Sequence, residues 1–211
     1  MDFEVFLSKI HAIKIVPLQG KVSHLKMAPL ERAIMLENIN LQSITPKKAA
    51  VMMLFYPKNG QTHLVLIIRN SFGIHSSQIA LPGGKFEIED PNFEATALRE
   101  THEEIGIAPA QIQVIKTFSE VYIPPSNFMV YPFLGIAKNN LTFTLQESEV
   151  AGIVEMPLEN LMDDGNLCIQ KITTSYAKFV DVPAFKIKDH LVWGATAMML
   201  SELKDALKMV F

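Results

Sequence analysis

The chain has 211 residues, of which 49% are apolar and 19% charged, and its formal net charge is −3. That is enough apolar material for one well-packed domain with a small appended segment. It excludes a polybasic nucleic-acid surface and a disordered acidic tail, so no nucleic-acid partner is expected.

The opening MDFEVFLSKIHAIKIV is acidic at Asp2 and mixes charge into its apolar positions, unlike a secretory leader. The most apolar tracts, such as AAVMMLFY, are too short to span a bilayer. A soluble, cytoplasmic protein with no membrane partner is expected. Phe3, Phe6, Ile10 and Ile13 recur at helical spacing and predict a short amphipathic helix over 2–13. Residues 16–47 contain Pro17, Gly20, Pro29 and Pro46 and read as an irregular arm with a helical turn around Leu30–Leu36. The chain therefore divides into an arm, 1–47, and a main domain, 48–211. The arm either covers a site or makes a homodimer contact.

From residue 48 the pattern changes. AAVMMLFY (49–56) and HLVLIIR (63–69) read as paired strands, joined at Asn59-Gly60, a strong hairpin signal. Ile79–Leu81 runs into Pro82-Gly83-Gly84, read as a loop. Residues 92–105 predict a helix stopped by Gly106. Strands are predicted over 111–118, 128–137 and 149–156, then one helical turn over 157–162 starting at Pro157. Further strands are predicted around 167–173 and 176–188. The lone cysteine, Cys168, sits in the first of these with no recognisable base beside it; it permits no intrachain disulfide and fits a reducing compartment. A helix over 193–209 lines up Thr196, Leu200, Leu203 and Leu207. Strands, then a helix, then strands and a final helix predict an α/β fold, a mixed sheet between helices.

The informative stretch is Leu81–Ile107. At about 100° per residue, Glu100, Glu103 and Glu104 crowd into one arc of the 93–105 helix. Like charges at these spacings cost roughly 0.2–0.5 kcal/mol per pair, so three carboxylates together need a reason. A hard divalent cation, Mg²⁺ or Mn²⁺, supplies one, since it favours carboxylate oxygens. Arg99, four residues before Glu103, can brace that carboxylate. Gly83 and Gly84 let the backbone approach a ligand, and a Gly84 carbonyl can add an oxygen donor. Lys85 either meets a phosphate or is solvated. The competing reading is a merely solvated acidic face.

The full string resembles the Nudix box: Gly, five residues, Glu, seven residues, then Arg-Glu-apolar-any-Glu-Glu-any-Gly-apolar. Gly84 and Arg99-Glu100-Thr101-His102-Glu103-Glu104-Ile105-Gly106-Ile107 match its two ends. There are departures. One extra residue separates Gly84 from Arg99, Asp90 stands at the distance of the first glutamate, and Thr101 replaces an apolar residue. Glu87, Glu89 and Asp90 are left without assigned roles.

Other segments resemble the coenzyme A pyrophosphatase-like branch. Arg69, His75 and Gln78 match its Arg-Ser and His-x-Gly-Gln elements, with Ser77 where glycine is usual. Tyr122–Phe128 and Trp193-Gly-Ala-Thr196 match its central strands and last helix. The resemblance implies a Nudix-type α/β/α sandwich that hydrolyses a diphosphate in a nucleoside diphosphate derivative, foremost coenzyme A or its thioesters. It implies Gly84, Glu100, Glu103 and Glu104 around Mg²⁺ or Mn²⁺, Arg99 as brace, and Arg69, His75, Gln78 and Lys85 toward substrate. His75 and Gln78 also have plain readings, as a surface or capping histidine and a loop-backbone contact. The family often uses an acid outside the box. Glu149 opens an apolar strand, where an inward acid is costly unless paired, and is preferred to Glu147. The general base is Glu149 or Glu103. Rival readings are ADP-ribose or another nucleoside diphosphate derivative as substrate, and a non-catalytic nucleotide-binding module. The intact run of acids argues against the second.

Overall fold

The computed structural model describes residues 1–40, 43–70, 78–173 and 179–211. His75 lies outside them.

The centre is β1 (Lys47–Lys58). Its alternate residues feed two cores. Met53 and Phe55 face one; Ala50, Met52, Leu54 and Tyr56 face the other. Burial on both sides explains why this strand reads as an unbroken apolar run. It turns at Asn59-Gly60, both at positive φ (51° and 74°), into antiparallel β2 (Gln61–Arg69). Its other edge pairs in parallel with β7 (Phe128–Ile136).

β1 and β2 stay paired only from Lys58↔Gln61 to Phe55↔Leu64, and the opening that follows is filled from the middle of the chain. β3 (Ile79–Ala80) pairs with β2, and β4 (Gly83–Lys85) pairs with β1. The segment read as a glycine loop is therefore partly a strand. Its glycines let the backbone lie hard against β1. A Cβ on Gly83 would stand 2.3 Å from the Ala50 carbonyl oxygen.

β5 (Gln113–Thr117), β6 (Val121–Ile123) and β8 (Val150–Pro157) complete an eight-stranded mixed sheet among the described residues. β9 (Leu167–Ile172), β10 (Val180–Ile187) and β11 (His190–Trp193) form a separate antiparallel sheet.

Helices cover both faces of the large sheet, as an α/β/α sandwich requires. α4 (Phe93–Ile105) packs Ala97 and Ile105 on one face. The other receives α1 (Phe3–Ile10) and α6 (Gly194–Leu207). Phe6 of α1 lies 4.9 Å from the Phe55 ring and stacks on Phe211 at 5.6 Å, so the start of the arm belongs to this core. Burying such a ring is worth about 1.5–3 kcal/mol. The arm is more helical than read from its prolines, with α2 (Lys21–Leu25) and α3 (Leu30–Asn38). The short α5 (Leu158–Met162) follows Pro157. Among the described residues no helix is long and apolar enough to cross a membrane.

α6 is buried almost all round, not on one stripe, because α2 lies against it. It carries a buried acid, Glu202, into that contact. Its carboxylate accepts from the Gly20 N–H (2.6 Å), the Ser119 N–H (3.0 Å) and the Ser119 hydroxyl (2.6 Å), with His24 Nε2 at 3.4 Å. Burial alone would raise its pKa, but the bonds from His24, Ser119 and Gly20 outweigh this and hold it below 4.5. Glu202→Ala strands those donors, and we expect a loss of roughly 3 kcal/mol. A depressed carboxylate stabilises above its unfolded pKa. The gap between wild type and variant should therefore be full above pH 4.5 and shrink as acid takes the pH below it. Urea titrations at several pH values measure this; a gap that widens in acid refutes it.

Candidate active site

The fork between β1 and β2 fixes where α4 sits. Leaving β4, the chain turns and enters α4 at Asn92, whose side-chain oxygen accepts from the Ala95 N–H at 2.9 Å. Gly106 ends the helix in the left-handed conformation, φ 77°. Leu98 packs beside Ala97 and Ile105, which turns the acidic arc toward β4. Thr101 is fully buried, with its hydroxyl on the Ala97 carbonyl at 2.6 Å. A hydroxyl is tolerated at an apolar position because the helix itself satisfies it.

Glu104 is the most buried acid of this helix, 4% exposed. One of its oxygens accepts the Gly83 N–H at 2.8 Å. Burial drives its pKa up to about 7. The Gly83 bond and the charge of Arg69 oppose that rise, and Glu100 and Glu149 add to it. Glu100 rests against Gly84, where a Cβ would come within 2.5 Å of its carboxylate. Its pKa is also raised, by burial first; Arg99 offsets this, while Glu103 and Glu149 reinforce it.

Arg99 is the organiser. Nε and Nη2 grip both oxygens of Asp90 at 2.9 Å each. Nη1 reaches Glu100 at 3.0 Å and Glu103 at 2.8 Å, and Nη2 also reaches the Lys85 carbonyl at 3.0 Å. All five guanidinium donors are engaged. Asp90 is 8% exposed and also accepts from the Thr96 hydroxyl and the Glu87 N–H. Arg99 and these bonds overcome its burial and hold it well below the usual carboxylate range. Distance from Gly84 marked this residue, and its role is now visible: it anchors Arg99. Glu87 and Glu89 are exposed.

The expected brace from Arg99 to Glu103 is present, and the same Nη1 joins Glu103 to Glu100, with Glu103 the more exposed of the two. Among the described residues no three His, Cys, Asp or Glu side chains are disposed to hold a metal ion. Glu100 and Glu104 nonetheless fit a hard cation. They are two desolvated carboxylates beside a glycine backbone, with charges that repel and no lysine or arginine bonded to Glu104.

Glu149 is exposed in the turn before β8, not facing inward within a strand. Its carbonyl accepts the Asn70 N–H at 2.6 Å. The Arg69 N–H donates to the Gln78 carbonyl at 3.0 Å, and Arg69 pairs with Val150. The backbones of Arg69, Gln78 and Glu149 thus meet at one end of β2, and Arg69 and Glu149 lie within electrostatic reach of Glu104. Lys85 lends its carbonyl to Arg99 and leaves its side chain exposed.

Similarity to known proteins bears on the family and the fold. A family model described as NUDIX domain matches residues 46–176. The chain is 34% identical over 163 residues to Nudix hydrolase 22, chloroplastic, of Arabidopsis thaliana, covering 74% of this chain and 53% of that one. It is 33% identical over 163 residues to Nudix hydrolase 15, mitochondrial, of the same plant, covering 74% and 56%. It thus spans about half the length of these relatives. It is 31% identical over 173 residues to a Nudix hydrolase named NudL of Citrobacter koseri, covering 78% and 85%. Among solved structures, the Nudix hydrolase RenU of M. Smegmatis superposes with TM-score 0.55 at 18% identity, over 79% of this chain and 88% of that one. A MutT/nudix family protein of Enterococcus faecalis gives 0.51 at 17%, over 89% and 73%. These two likenesses concern the fold alone.

Proposed function

The chain belongs to the NUDIX family, and from that premise we propose that it hydrolyses the diphosphate linkage of a nucleoside diphosphate derivative, with coenzyme A or a thioester of it as substrate. The observation that carries the reading is the pair of buried Glu104 and partly buried Glu100 against the Gly83-Gly84 backbone. They would hold Mg²⁺ or Mn²⁺ together with the Gly84 carbonyl. A bound cation supplies positive charge to the diphosphate oxygens.

The protein's own groups do the rest. Arg99 and Asp90 keep Glu100 and Glu103 in fixed rotamers. Glu149 takes the proton from the attacking water. It is exposed and coupled to Glu100 and Glu104, whereas Glu103 is engaged by Arg99. Arg69 offers a cation to the substrate's phosphates. The coenzyme A preference rests on the Arg69 and Gln78 matches and on the resemblance at Tyr122–Phe128.

The test is turnover of coenzyme A, acetyl-coenzyme A, ADP-ribose and dinucleoside polyphosphates with Mg²⁺ or Mn²⁺, with products read by mass. We expect phosphopantetheine and adenosine bisphosphate, a preference of at least about tenfold over ADP-ribose, and none of this with EDTA present. Preferred cleavage of ADP-ribose overturns the substrate. Tight binding without cleavage under either metal overturns the enzyme.

A further inference from the structure

α3 is turned inside out. Its arginine, Arg32, is 7% exposed and donates to the Tyr122 carbonyl at 3.3 Å. Its Leu30 and Ile34, one turn apart, are 71% and 51% exposed. Met35 beside them and Val22 on α2 are exposed as well. A single surface leucine needs no explanation, but an apolar ridge on a helix that has turned its arginine inward does.

Two more features belong to the same pair of helices, which touch through the Lys21 ammonium on the Leu36 carbonyl at 3.4 Å. The first is a cavity of about 170 Å³ between them and β6–β7, apolar on Leu36, Ile39, Met129 and Met198 and polar on Lys21, His24 and Glu120. A cavity of roughly 150 Å³ admits a benzene, so this one has room for one leucine or isoleucine side chain. The second is charge. The outward charges at α2 are basic, Lys21 and Lys26, the latter also paired with Asp205 of α6 at 2.7 Å; those of α3 are acidic, Glu31 and Glu37.

We propose that this face binds a second copy of the chain about a two-fold axis. A knob, a hole and opposite charges on adjoining helices make a surface complementary to itself, as an isologous interface requires. Each α3 ridge seats against the other copy's cavity, and each pair of acids meets the other copy's pair of bases. The apolar strip forms the centre of the contact and the four charges its rim. An anionic membrane is the poorer occupant, since Glu31 and Glu37 would face its headgroups.

Sedimentation equilibrium of the full chain tests this. We expect a dimer at about 100 µM. Leu30→Asp and Ile34→Asp, both at exposed positions that the fold does not need, should each weaken association at least about tenfold. A variant with Lys21→Glu and Lys26→Glu, and another with Glu31→Lys and Glu37→Lys, should each be monomeric alone and dimerise when mixed. A monomeric wild type overturns the proposal, whether or not it binds vesicles of phosphatidylcholine and phosphatidylserine. So does a dimer indifferent to Leu30→Asp and Ile34→Asp, or a charge-reversed pair that fails to recover on mixing.

Discussion

Glu104→Gln is expected to keep the fold and lose roughly 10²–10³-fold in kcat. The amide oxygen can still accept the Gly83 N–H that now reaches Glu104 at 2.8 Å, so β4 and α4 stay joined. What disappears is a full negative charge beside the Gly84 backbone, and with it half of the pair that would hold the cation. Stability should move the other way. The folded pKa, about 7, lies above the ordinary 4.5, so the native state is favoured while the acid is protonated. That advantage is full below pH 4.5 and is lost as pH rises through 7. Without added metal at pH 8, the neutral glutamine should melt no lower than wild type. Turnover and thermal melts on the same preparation check both halves. Turnover within about twofold of wild type would remove Glu104 from the mechanism.

Gly83→Ala should be the most damaging single methyl in the molecule. Gly83 sits at φ 149°, and a Cβ there meets the Ala50 oxygen at 2.3 Å and the Val51 Cα at 2.6 Å. Both are backbone atoms of the central strand and cannot swing aside. β4 must lift from β1, which breaks its pairing and pulls the Gly83 N–H from Glu104. We expect a loss of about 3 kcal/mol, or a fall in Tm of roughly 6–12 °C for a chain of this size. Gly84→Ala is the informative contrast. The atom it meets is the end of the Glu100 side chain at 2.5 Å, which can rotate away once it gives up its bond from Arg99. That variant should stay close to wild type in Tm and lose activity. Equal melting of all three proteins would contradict the packing described for Gly83.

Much of this was legible in the sequence because local chemistry dictated it. Asn59-Gly60 has few alternatives to a tight hairpin turn, and Gly106 stops α4 where a left-handed residue is needed. The arc of Glu100, Glu103 and Glu104 follows from helical geometry. What was not legible depends on partners distant in the chain. No local pattern tells β7 to run parallel to β1, or tells Gly83–Lys85 to become a strand; only the opening between β1 and β2 does. The position of Glu103 depends on Arg99, which divides its donors among four residues. Glu149 looked inward because Val150 and its neighbours are apolar, yet the turn ends one residue later than the pattern suggested. Glu202 carried no signal at all, since its partners, Gly20, His24 and Ser119, all lie far from it in the chain.

The saturation of Arg99 limits how this protein can be controlled. A guanidinium with no spare donor cannot swing out to greet an incoming nucleotide without first releasing Asp90. The scaffold is therefore rigid before any ligand arrives, and occupancy by an external ion becomes the adjustable quantity. Chelation should silence the protein and lower its melting temperature only by what the ion's own binding contributes, and returning the ion should restore both without a refolding step.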